Sequence, residues 1–201
     1  VIDGGTVMLR GAAIHHNSAV SWGGGIHQWS ASATVSMINT TISHNSAAWG
    51  GGIFNESVQD LKFVTLADNS ATSGGANVYN YISGQMTVFA TILADPQLRA
   101  NCGGNSLLSP LGFNRISDNS CLTAPHEDDR QDIPIDLGAL IDNGGTTLTH
   151  LPNSRSANAT NIVDIMPAAT CQSIFAPAAP WDQRGETRPI LGLRGAGFDT
   201  I

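Results

Sequence analysis

The sequence predicts an all-β chain wound as a right-handed parallel β-helix, a solenoid, with a loop-rich C-terminal cap. Three observations predict it. First, one unit recurs. Gly11-Ala-Ala-Ile14-His-His-Asn17-Ser18-Ala19 precedes Trp22-Gly-Gly-Gly25-Ile26, and Asn39-Thr-Thr-Ile42-Ser-His-Asn45-Ser46-Ala47 precedes Trp49-Gly-Gly-Gly52-Ile53. Phe63-Val-Thr-Leu66-Ala-Asp-Asn69-Ser70-Ala71 precedes Gly74-Gly-Ala76-Asn77-Val78. Second, apolar residues alternate within the unit, as at Val35, Met37 and then Thr40, Ile42, which is a strand period. Third, Gly-Gly-Gly returns at one place, where a tight turn needs positive φ. There is no Leu-x-x-Leu-x-Leu run and no stretch between strands long enough for a helix, which excludes a leucine-rich horseshoe.

Residues 1–100 read as about four regular coils, each one strand spacing, about 4.8 Å, above the last. Like positions then sit over like. Ile14, Ile42, Leu66 and Ile92, which opens a degenerate fourth copy, are predicted to form one inner column. Asn17, Asn45 and Asn69 are predicted to form an asparagine ladder at a corner, with Asp95 in the same register of the fourth coil. Trp22 and Trp49 hold matching places and are expected to stack. Residues 101–150 read as irregular coils continuing the stack. Residues 151–201 read as a capping segment, since Pro167, Pro177, Pro180 and Pro189 suit loops and short edge strands. No linker divides the chain. It opens on Val1 inside a strand-like pattern, so it is expected to be a piece of a longer protein.

Composition narrows the partners. The net charge is −7, Lys62 is the one lysine, and the arginines are scattered from Arg10 to Arg194. Nucleic acid, which needs clustered cations, is therefore not an expected partner. No apolar run reaches the roughly 20 residues of a membrane-spanning helix. Charged residues make up 12%, against about 25% in ordinary soluble proteins. Small polar residues and glycine take their place, as close coil stacking requires.

Several residue groups are candidates for chemistry. Trp22, Trp29 and Trp49 are a candidate aromatic platform for sugar rings, or internal stacking. His16 and His44 share a register with Asp68 above them, a candidate metal column, since imidazole and carboxylate both ligate zinc. No cofactor is expected; the one oxygen-rich candidate for Ca²⁺ is His126-Glu127-Asp128-Asp129, with Asp132 and Asp136 nearby. Its spacing matches no calcium-loop pattern. Among the acids of the regular coils, Asp3, Glu56, Asp60, Asp68 and Asp95, only Asp68 and Asp95 come from neighbouring coils at nearby registers. Cys102 and Cys121 flank a Gly/Ser/Asn-rich stretch and are expected to close it as a disulfide, with two free buried thiols as the alternative; Cys171 has no evident partner. No nucleophile-elbow, P-loop, His-Glu-x-x-His or Cys-x-x-Cys motif is present.

The pattern Asn-Thr-Thr-Ile42-Ser-x-Asn45-Ser-Ala followed by Gly-Gly-Gly52-Ile resembles the repeats of bacterial surface β-helix proteins of the polymorphic-outer-membrane-protein-like and CSLREA-domain type. The likeness continues through Asn101-Cys102-Gly-Gly104, Leu111-Gly-Phe-Asn114 and Ser117-Asp-Asn-Ser-Cys121. It extends to Leu137–His150, to Asp182-Gln-Arg-Gly185 and to Arg188-Pro189. Those proteins usually carry a further cysteine near the C-terminus, which this chain lacks, so Cys171 loses the partner the resemblance implies. The resemblance implies an extracellular or cell-surface location more than any reaction. The expected function is a non-enzymatic structural or adhesive module, with other surface or extracellular proteins, glycans or further copies of itself as partners. The alternative is a carbohydrate-active β-helix enzyme, a polysaccharide lyase or glycoside hydrolase.

Overall fold

The computed structural model describes residues 1–163, 165–167, 170 and 181–187. It is a parallel β-solenoid of about four turns. Each turn starts with a long strand and returns through two or three short ones. In chain order these are β1 (Thr6–Arg10), β2 (Ala13–His15), β3 (Ile26–Gln28), β4 (Thr34–Ser43), β5 (Ser46–Trp49), β6 (Ile53–Asn55) and β7 (Val58–Ala67). Then come β8 (Ser70–Gly74), β9 (Val78–Asn80), β10 (Gln85–Phe89), β11 (Ile92–Ala94), β12 (Cys102–Gly104), β13 (Ser109–Pro110) and β14 (Arg115–Ile116). One sheet runs β1-β4-β7-β10-β13 with β2, β11 and β14 alongside; the others are β3-β6-β9-β12 and β5-β8.

Three corners turn on left-handed backbone. The first holds Gly11, Asn39, Phe63, Ala90 and Phe113; the second holds His16, His44, Asp68 and Asp95; the third holds Gly23, Gly50 and Gly75. Asn, Asp and His tolerate this conformation best among residues with a Cβ, which accounts for the residue types at the second corner. The third corner accepts only glycine, because a Cβ at Gly50 would lie 2.3 Å from the carbonyl oxygen of Ile53. The fourth corner has no fixed form: the connection is 29–33 in one turn, 56–57 in the next and 81–84 in the third.

Inward residues stack in columns, Leu9-Met37-Leu61-Val88 and Ile26-Ile53-Val78 among them. Burying each such side chain contributes about 1.5–3 kcal/mol. The column begun by Ile14, Ile42 and Leu66 continues with Leu93 and Ile116, not with Ile92. Ile92 pairs with Thr65 and points outward. Two successive apolar residues satisfy a strand period in either frame, and a second core decides between them. There Ile92 meets Phe63, Phe89, Phe113, Ile135 and Ile162.

The same shift moves Asp95. It sits over Asp68 at the second corner, because Ala94 pairs with Ala67; it does not continue the asparagine ladder. That position falls to Pro96. The ladder nonetheless goes on, Asn17 to Asn45 to Asn69, then to Asn77 and Asn101. Asn77 occupies the place of Gly25 and Gly52, glycines that make room for Asn45 and Asn69 in the turn above. With proline in the turn above Asn77, that room is empty and an asparagine fills it from the other side. Gln28, Asn55 and Asn80 make a second buried polar column, in which Asn55 Nδ2 donates to Asn80 Oδ1.

Cys102 and Cys121 form a disulfide at the last regular turn, where Cys121, Leu108 and Leu122 close the main core. The described part of the C-terminal segment is loop-rich and covers the flank of the stack. Ile133, Leu137, Val163, Ile165 and Met166 pack on the second core. Lower down, where outward residues are polar, Gln183 accepts from Thr41 Oγ1 and donates to the Ala12 carbonyl, and Asn39 donates to the Trp181 carbonyl. The Asp182-Gln-Arg-Gly185 motif is thus a pin onto the first turns. Arg115 lies buried beneath this segment, donating to the carbonyls of Asn161, Asn114 and Asp128, and burial lowers its pKa to about 10. Cys171, Pro177, Pro180 and Pro189 fall outside the described residues.

One inward position breaks the rule. Gln59 is fully buried in the column of Val35 and Met86, and neither amide atom has a hydrogen-bond partner. A buried orphan of this kind costs about 1–3 kcal/mol. Gln59→Met is therefore expected to raise stability by roughly 1 kcal/mol, read as a higher urea midpoint at unchanged slope. A lower midpoint would mean that the amide is satisfied in solution.

Candidate functional site

The richest outward surface lies beside the variable corner. In β3, β6 and β9 the middle residues His27, Phe54 and Tyr79 point out, because their neighbours on either side point in. The next outward position, one step past the polar column, carries Trp29, Glu56 and Tyr81 in successive turns. Trp22 closes the lower edge, 5.8 Å from His27, 6.2 Å from Trp29 and 6.1 Å from Phe54, ring centre to ring centre. Phe54 and Tyr79 stack at 5.2 Å with a 3° interplanar angle, and His27 stands edge-on to Phe54.

The result is a two-layer aromatic face. His27 and Phe54 form the buried floor. Trp22, Trp29 and Tyr81 form the rim, 42%, 51% and 42% exposed. Of the tryptophans singled out in the sequence, Trp22 and Trp29 belong here. Trp49 pairs with Trp22 through its backbone, while the Trp22 ring turns to His27, Trp29 and Phe54; Trp49 itself is half-buried beside Gly74. His27 and Tyr81 were not singled out in the sequence, and Glu56 appeared there only among the scattered acids of the coils. The signal was there, since each sits at or one step past a strand that repeats, but it needs the register of three turns to emerge.

A polar pair lies within this apolar setting. His27 Nε2 is buried without a hydrogen bond, and Glu56 Oε1 lies 4.0 Å away. Burial lowers the His27 pKa and raises that of Glu56, so both move towards their uncharged forms despite an ion-pair distance. The lowered value has a consequence for stability. The unfolded chain takes up a proton on this imidazole near 6.5 and the folded chain only at lower pH. The stabilisation is complete above 6.5 and lost as pH falls below it. Between neutral pH and about 5.5, the wild type is expected to lose more stability than His27→Phe. Equal losses in urea denaturation would show that His27 titrates normally.

The second corner gathers ionisable groups. His16 stacks on His44 at 4.9 Å, and His44 Nε2 lies 4.0 Å from Asp68 Oδ2. His150, from the flank segment, lies parallel to His44 with ring centres 6.1 Å apart. This residue is the partner that sequence reasoning missed, because a loop far along the chain supplies it. One donor atom each from His44, Asp68 and His150 fall within 4.8 Å of one another. Asp95, above Asp68, has its pKa raised by burial and by the charges of Asp68 and Asp136.

The acidic loop is used differently. Asp129 is buried, its oxygens accepting from the Asn114 backbone and amide and from the His126 backbone. It is an internal cap for the turn, not a free ligand. His126, Glu127 and Asp128 cluster at the surface, while Asp136 faces Asp95 and Asn153. Among the described residues no helix is long and apolar enough to cross a membrane. Comparisons with protein-family models, with curated proteins and with solved structures found no match.

Proposed function

We propose that this chain is a non-enzymatic adhesive module of a bacterial surface or extracellular protein, and that it holds glycans on the aromatic face. The observation that carries the reading is the exposed rim of Trp22, Trp29 and Tyr81 around the His27–Glu56 pair. A pyranose offers an apolar face of C–H groups to an indole and hydroxyls to a carboxylate. Flat rings with polar groups among them meet both needs. Preassembly by a rigid stack lowers the entropy cost of binding. Exposed tryptophan and tyrosine clustered on one side are also what a binding surface enriches.

A glycan array followed by calorimetry on the best ligand tests it. Trp29→Ala is expected to weaken that ligand by about thirty-fold, equivalent to a hot spot of about 2 kcal/mol. Trp49→Phe, off the face, is expected to leave the affinity unchanged. Array silence, or a ligand indifferent to Trp29, would defeat the reading. The carboxylate stack of Asp68 and Asp95, with Asp95 shifted upward, favours a second reading as a carbohydrate-active enzyme. Cleavage of the array ligand by wild type but not by Asp95→Asn would establish that instead.

A further inference from the structure

We infer that His44, Asp68 and His150 form a site for a divalent transition-metal ion, with Zn²⁺ as the reference ion, and that the ion clamps the flank segment to the stack. The left-handed corner explains why positions 16, 44, 68 and 95 are His or Asp. It does not explain His150. This imidazole comes from outside the coils, is 1% exposed, and lies parallel to His44 with a 3° interplanar angle. Over Thr41 the flank places the amide of Gln183, but over the neighbouring outward residue Ser43 it places an imidazole, a group able to ligate a metal.

The hydrogen bonds prepare both rings as ligands. His150 Nδ1 is 2.7 Å from the Gly138 carbonyl, which can only accept, so the proton is on Nδ1 and the lone pair on Nε2. Holding an imidazole through a backbone carbonyl in this way is the usual outer-shell arrangement at metal sites. Ser43 Oγ lies 2.8 Å from His150 Nε2 and 2.7 Å from His44 Nδ1. It has one hydrogen, which it donates to His150; His44 Nδ1 then donates to Ser43. That leaves the His44 Nε2 lone pair facing Asp68 Oδ2 across 4.0 Å. Two acceptors face each other, a gap suited to a cation.

The distances are those of an open set. The three donor atoms lie within 4.8 Å of one another, whereas donors around tetrahedral zinc are about 3.4 Å apart. Side-chain rotations of about 1 Å close the difference. His44 and Asp68 are partly exposed, which leaves room for such small rotations. Ser43 keeps its bond from His44 when His150 Nε2 turns to the ion. Two imidazoles and a carboxylate are a standard zinc donor set, with water in the fourth place. This inference does not rest on glycan binding.

Calorimetric titration of the full chain with Zn²⁺, and Co²⁺ absorption as the coordination probe, test it. Asparagine tolerates the left-handed corner, so His44→Asn and Asp68→Asn remove ligands while sparing the backbone. One ion per chain is expected. Each variant should weaken it more than about a hundred-fold, beyond what outer-shell changes cost. His16→Asn should bind like wild type, and the thermal midpoint should rise with Zn²⁺ in wild type but not in His44→Asn. No stoichiometric uptake would overturn the site. So would undiminished binding by Asp68→Asn, or loss of binding in His16→Asn, which would mark an unspecific surface histidine pair.

Discussion

Asn69→Ala is expected to cost about 4 kcal/mol or more, a large part of the roughly 5–15 kcal/mol that holds a domain folded. The side chain is fully buried and sits mid-ladder. Its Oδ1 accepts from the backbone N–H and the amide of Asn45; its Nδ2 donates to the Ile42 carbonyl and to Asn77 Oδ1. Alanine leaves the Asn45 backbone N–H and Asn77 Oδ1 unpaired in a dry interior, at about 1–3 kcal/mol each, and takes one bond each from the Ile42 carbonyl and from Asn45 Nδ2, which keeps the Ile14 carbonyl. Coil stacking has no other means of satisfying the Asn45 N–H, because the corner turns the backbone out of the ladder of strand bonds. Asn17, at the lower end, bonds to Asn45 Oδ1 and the His15 carbonyl and is exposed to solvent. Asn17→Ala is therefore expected to cost less than about 1 kcal/mol. Urea denaturation of the pair measures the gradient. Equal costs would show that the ladder is a by-product of the repeat and not a support.

That gradient marks what the sequence could and could not say. Asn17, Asn45 and Asn69 recur after the same apolar residue, so their alignment was legible. Asn77 was not, because it replaces a glycine and acts only where Pro96 stands above it. The frame of Ile92 and Leu93 was undecidable from alternation alone. It is settled by Ile135 and Ile162, residues whose approach to the flank no local pattern announces. The aromatic face divides in the same way. Trp22 and Trp29 are conspicuous residues. His27, Glu56 and Tyr81 acquire meaning only when three turns of unequal length are brought into register. His150 is the extreme case, a single residue in an irregular stretch whose partners are all in the coils. Repeats announce what stacks; they are silent about what later folds against the stack.

Gly51→Ala is expected to destabilise by at least about 3 kcal/mol, although alanine normally favours a folded chain over glycine. A Cβ there would stand 2.2 Å from the Ser70 carbonyl oxygen and 2.7 Å from that of Ala76. Both atoms belong to the backbone of the next turn. The Ala76 carbonyl is held by the Gly52 N–H, and the backbone beside the two atoms by Gly51 N–H to the Gly75 carbonyl and Ser70 N–H to the Asn45 carbonyl. Neither can retreat without lifting one coil off another, so the strain spreads along the rod. Gly11 makes the contrast. It lies at the first corner with φ of 59°, and nothing stands within 4 Å of where its Cβ would be. Asn39, Phe63 and Ala90 already hold that conformation in the turns above. Gly11→Ala is thus expected to cost only the left-handed penalty, about 1 kcal/mol. Thermal or urea denaturation of the two variants separates backbone collision from backbone conformation. If Gly11→Ala proved the worse, the spacing between coils would not be what limits residue size at the glycine corner.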